Sequence, residues 1–270
     1  MRFSLNKIVI LFSITVAFGT SNSFAQKNQN AHENQFEFSH PIFTESISPD
    51  SKIRLNYVNT KVADSLSSHG FDLEMEYAPV RTFSIHLDIP YTVLKSKSAS
   101  TLSHLEDIEL ALKFANFAFA KHKVLFGYGV SFGLPTGSAL KGIGSDHIFS
   151  INPFLNGGVM WRRWEWTAYF TFDIPTNQQP QEDLQTGLES RLTALYHLDA
   201  RWEFLLEAGN STEIGHRTTM EKNYDIAEGI KFRPNREKPW ILALGVRQPL
   251  GQNSEFKFQG MFSLFFHFED

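Results

Sequence analysis

The chain has 270 residues, no cysteine and a formal net charge of −4, and 14% of it is aromatic, with 26 phenylalanines. Lacking cysteine, it has no disulfide staple, thiol chemistry or thiol-linked lipid anchor. Its acidic balance lacks the clustered basic charge that nucleic-acid binding requires, so no nucleic-acid partner is expected.

At the start, Arg2 and Lys7 precede an apolar run over residues 8–18, and Ser23-Phe24-Ala25 has the small-x-small form of a signal-peptidase site. Residues 1–25 are therefore expected to be an export signal cut after Ala25. Cleavage removes two cations and no acid, taking the charge to −6 (−4 − 2). No segment has the roughly 18 continuous apolar residues of a membrane helix. Residues 26–51, which include SHPIFTESISPD at 39–50, read as an extended lead-in or a small plug.

From residue 52 onward the pattern has period 2, the mark of strands with one apolar face. Twelve segments carry it: 52–60, 70–78, 83–94, 105–117, 123–134, 148–160, 164–173, 183–197, 200–209, 224–233, 239–247 and 255–268. Their connections alternate between long polar stretches such as KVADSLSSH and PTGSALKGIGSDH and short ones such as PVRT and WRR. An even strand count, with short turns at one end and long loops at the other, predicts an all-β fold: an up-and-down antiparallel transmembrane β-barrel over residues 52–270. Tyr77, Trp161, Trp164, Tyr196, Trp202 and Trp240 sit beside the short turns, where an aromatic girdle meets the headgroups.

The faces agree. Phe71, Leu73, Met75 and Tyr77 alternate with Asp72, Glu74 and Glu76; Ile108, Leu110, Leu112 and Phe114 with Asp107, Glu109 and Lys113; Leu188, Leu192 and Tyr196 with Glu189, Arg191 and His197. So many charges on one face would each cost several kcal/mol in a dry core unless paired. A wet or ion-paired lumen removes that cost, with Glu109–Lys113 and Glu189–Arg191 as expected pairs. Only the tenth segment breaks the pattern, because Glu228 shares a side with Tyr224, Ile226 and Ile230; a bulge or a register error would account for it.

GYGVSFGLPTGSALKGIGSD, residues 127–146, concentrates glycine without the Gly-x-Gly-x-x-Gly spacing of a phosphate loop. Gly127, Gly129 and Gly133 instead give one strand a bare inner face, open to the lumen or to a close neighbour. EDIELALKFANFAF, then GYGVSFGLPTG, then GIGSD leading into INPFL resembles the outer-membrane phenol meta-pathway transporter family, over about residues 100–160. Where the family pattern has Gly-Asp, this chain has Glu106-Asp107. The resemblance implies a barrel that passes or binds small, hydrophobic or aromatic solutes.

The expected function is accordingly an outer-membrane channel or binder for small solutes, without catalytic residues, cofactor or metal. The lumen residues proposed to meet solute are His86, Asp88, Glu109, Lys113, Gly127, Gly129, Glu189 and Arg191, with loops at 95–104, 135–147 and 210–223. Outer-membrane lipids and the barrel insertion machinery are the other expected partners. The alternative is a barrel-embedded hydrolase acting on lipids or peptides, since Ser84, His86 and Asp88 share one face of a strand. Its weakness is spacing, because same-strand neighbours lie about 7 Å apart and nucleophilic catalysis needs about 3 Å. A purely structural or adhesive barrel is a third reading.

Overall fold

The computed structural model describes residues 37–268 apart from 64, 99, 178–184, 215–221, 235–238 and 252–255. The expected export signal lies outside the described residues. Strands run in chain order as β1 (Lys52–Ala63), β2 (Leu66–Val80), β3 (Phe83–Ser96), β4 (Leu102–Leu105), β5 (Ile108–Asn116), β6 (Val124–Leu134), β7 (Phe149–Trp161), β8 (Trp164–Thr176), β9 (Thr186–His197), β10 (Trp202–Ile214), β11 (Lys222–Phe232), β12 (Trp240–Pro249) and β13 (Phe258–His267). Each pairs antiparallel with its neighbours, and β1 pairs with both β2 and β13, which closes the sheet.

β4 and β5 are two parts of one barrel strand, so the barrel has twelve. Both pair with β3, through Tyr91↔Leu105 and Asp88↔Glu109. Between these points β3 advances three residues (91 − 88) and its partner four (109 − 105), the signature of a bulge. The bulge corrects one expectation. Asp107 does not project inward with Glu109 but accepts the backbone N–H groups of Gly137 and Ser145, each at 2.9 Å, and so ties down the loop after β6.

The alternation sorts as read: Phe71 and Tyr77 are exposed on the outer wall, while Glu74, Glu76, Lys113 and Arg191 are buried inside. Outer-wall aromatics cluster at the short-turn end, where the Trp164 ring lies 4.8 Å from Tyr196 and Trp202 4.3 Å from Phe232. No bulge occurs at Glu228. The β11 register is unbroken on both sides, and the carboxylate stands on the outer wall between Leu206 and Val246. The first long-end connection also differs, because β1 and β2 continue through most of KVADSLSSH. Apolar alternation stops where a strand leaves the hydrocarbon, but the hydrogen-bonded ladder does not have to.

Candidate functional site

The bare inner face of β6 is not open. A Cβ at Gly129 would collide with the Phe154 ring and the Leu112 carbonyl oxygen, one at Gly127 with the Asn156 amide, and one at Gly133 with the Ser150 hydroxyl. These three residues face the glycines from β7 in direct register. The glycines are there because β7 lays its side chains across them. Gly127 and Gly129, proposed as solute contacts, are therefore covered.

The lumen's short-turn half is packed by the described residues that precede β1, 37–51. Phe38 and Ile47 pack with Ala115 and Leu125, and Ile42 packs with Leu195, Leu205, Ile241, Ala243 and Phe265. Prolines at 41 and 49 suit a segment that joins no ladder. Its backbone polar groups are met by wall side chains instead, as burial demands. Glu207, wholly buried, accepts the N–H groups of Ile42 at 3.1 Å and Phe43 at 3.0 Å and the Thr44 hydroxyl at 2.5 Å. Arg54 donates to the Ile42 carbonyl at 2.5 Å and Ser39 N–H to Glu165 at 2.8 Å. Lys113 and Asn156 each reach the Ser46 carbonyl at 3.4 Å.

A second anchor lies where this segment enters β1. Asp50 Oδ2 accepts from His40 Nε2 at 3.0 Å and His267 Nδ1 at 2.5 Å, and Lys52 Nζ donates to His40 Nδ1 at 3.2 Å. Burial, with the Lys52 cation adding to it, pushes the His40 pKa down to about 3, so the ring is neutral. Burial alone would raise the Asp50 carboxyl, but hydrogen bonds from His267 and His40 hold it well below the usual carboxylate range.

Charges on the β1–β3–β5 side form one network. Lys52 lies 2.6 Å from Glu76 and 3.0 Å from Glu74; Lys113 lies 2.7 Å from Glu76 and 3.6 Å from Glu45; Arg54 lies 3.2 Å from Glu74. Three cations thus balance three carboxylates, which is what allows them to be buried. Of the two expected same-strand pairs, Arg191–Glu189 forms at 3.1 Å, and Arg191 also meets Asp225 at 2.8 Å. Glu109–Lys113 does not form, since Lys113 turns to Glu76 and Glu45.

His86 stands between Glu45 and Glu74, at 3.9 and 3.8 Å. The Ser84 hydroxyl donates to Glu76 at 2.6 Å rather than to His86, so Ser84, His86 and Asp88 do not assemble into a nucleophile and base. Among the described residues two groups gather enough ligands for a metal ion, His40-Asp50-His267 and Glu45-Glu74-His86. Lys52 stands beside both, donating to His40 Nδ1 at 3.2 Å and lying 3.0 Å from Glu74 Oε1, and its charge opposes a bound cation. Sequence reading missed Glu207, Asp50 and His267, whose partners lie far along the chain, and His40, whose partners Asp50 and Lys52 are 10 and 12 residues on.

A closed twelve-stranded barrel, apolar outside and charged within, defines a transmembrane β-barrel. No protein-family model matches the chain, and no curated protein matches it. Among solved structures, an outer-membrane channel of Pseudomonas putida F1 shares 12% identity at a TM-score of 0.67, covering 88% of this chain and all of that one. KdgM porin shares 9% at 0.54 and NanC porin 7% at 0.53, each covering 81% of this chain and 99% of its own. These likenesses establish the shared barrel fold.

Proposed function

We propose that this protein is an outer-membrane channel for small solutes, exported by its N-terminal signal, inserted by the barrel assembly machinery and not an enzyme. The observation that carries the reading is a charged lumen closed, at the short-turn end, by a segment of the chain itself. Residues 37–51 act as the closure, and a solute crosses when they withdraw or shift. A taste for hydrophobic or aromatic solutes, and kinship with the phenol meta-pathway transporters, are supported by the residues 100–160 pattern and by the Phe43, Tyr169 and Met261 side chains that share the lumen cavity. The fold of the neighbouring channels supports passage rather than hydrolysis.

Liposome swelling with a panel of polar and aromatic solutes tests this, using the full barrel beside a variant lacking residues 37–48. Faster swelling of the shortened variant, with slow, size-limited swelling of the full chain, is expected. No swelling from either, with both barrels folded, would overturn the reading.

A further inference from the structure

On the long-loop side of the closing segment, the lumen holds a cavity of about 290 Å³, floored by Phe43, Thr44 and Glu45 and walled by Asp72, Asp88, Tyr169 and Glu189 among others. Its carboxylates are not equally satisfied. Glu45 faces Lys113 at 3.6 Å, Glu74 faces Lys52 and Arg54, and Glu189 faces Arg191. Asp72 and Asp88 meet no cation among the described residues, and each buries an Oδ1 atom with no hydrogen-bond partner. Glu74, Asp88 and Glu109 also stand directly opposite one another across β2, β3 and β5, and Glu109 meets no cation among the described residues either. Like charges directly opposite on neighbouring strands destabilise a sheet. This wall therefore gathers carboxyl groups that no cation among the described residues pairs with, at the spot where it leaves space.

We propose that the cavity is a binding site for a small organic ammonium ion, whose charge sits between Asp72 and Asp88 and whose apolar body lies against Tyr169 and Phe43. The space favours this over a bare metal ion: 290 Å³ is on the order of ten times the roughly 30 Å³ share of one water. The rings favour it as well, because an ammonium gains from an aromatic face and an apolar body from burial beside it. The inference rests on the channel reading for its route to the site.

Titration calorimetry on the full, detergent-solubilised barrel, with benzylammonium, benzyl alcohol and benzoate as probes of one shape and three charges, tests it. Benzylammonium is expected to bind at least about tenfold more tightly than benzyl alcohol, with benzoate weakest. Asp72→Asn with Asp88→Asn should erase that order, while Glu228→Gln on the outer wall should leave it unchanged. Equal binding of the three probes by the unaltered protein would overturn the proposal, and needs no variant to fold. An unchanged order in a folded double variant, shown by heat-modifiable gel migration, would do the same. Swelling separates the two readings: solute flux without ammonium preference defeats the site alone, and ammonium preference without flux defeats the channel alone.

Discussion

Gly129 shows how much a single absent side chain decides. Phe154 occupies the space a Cβ would take, and the Leu112 carbonyl closes the other side, so substitution at this position strikes the fold before any solute. Gly129→Leu is expected to cost roughly 3 kcal/mol or more, at or beyond the upper end for overpacking, and to block assembly. Phe154→Ala should recover it only in part, since the backbone oxygen stays in place. Heat-modifiable gel migration reads both; a fully folded Gly129→Leu barrel would show that the ring is free to leave. Glu228 makes the opposite point. Alternation puts it outward, and the unbroken register keeps it there, leaving on the membrane face a carboxylate for which the structure shows no partner among the described residues.

Among the elements, the segment over residues 37–51 is held by polar contacts that depend on charge. Glu207→Gln removes the charge and leaves one acceptor oxygen where two serve the Ile42 and Phe43 N–H groups and the Thr44 hydroxyl, and is expected to cost about 1–3 kcal/mol of docking. Faster amide exchange at Ile42 and Phe43, with the strand ladders unchanged, is the expected result; protection equal to the parent protein would show that the apolar contacts suffice. Acid should act in the same direction. His40 has its pKa lowered in the docked state, so below its ordinary value of 6.5, and down to about 3, the released segment binds a proton that the docked one refuses. Asp50, also lowered when docked, contributes stability that is present above its ordinary value of 3.8 and lost as the pH falls below it. Docking should weaken steadily as the pH drops below 6.5, with His40→Gln flattening the upper part of that dependence. Exchange rates for residues 38–48 independent of pH, after correction for intrinsic chemistry, would refute the linkage.

For the whole molecule, an even strand count returns both ends of the barrel to the short-turn rim. On the proposed export route the termini are delivered to the periplasm, which would put the two-residue turn at Arg162-Arg163 on the periplasmic side and the loop around Ser138 outside. In intact cells a cysteine at Ser138 should therefore react with an impermeant thiol reagent and one at Arg163 should not. The reverse pattern would invert the barrel. Since the parent chain has no cysteine, the background is clean.

Period-2 alternation is a property of neighbours two residues apart, so the sequence alone determined whatever is local to a strand: the number of barrel strands, which residues face lipid and which the lumen, Asp107 at the bulge apart, the end that carries the aromatic girdle, and the pair Arg191–Glu189. It left open everything that depends on which distant side chain arrives at a given spot. Gly129 and Phe154 lie on strands whose register is set by the barrel as a whole. Lys113 passes over Glu109 because Glu76, from another strand, offers a closer oxygen. Glu207 receives the N–H groups of Ile42 and Phe43 from 165 and 164 residues away, and Asp50 meets His267 across 217. The choice between lead-in and plug for the residues before β1 belonged to this second kind. Only closure of the sheet creates an interior whose buried carboxylates and small apolar hollows fit that segment, and no local pattern in SHPIFTESISPD encodes the wall against which it packs.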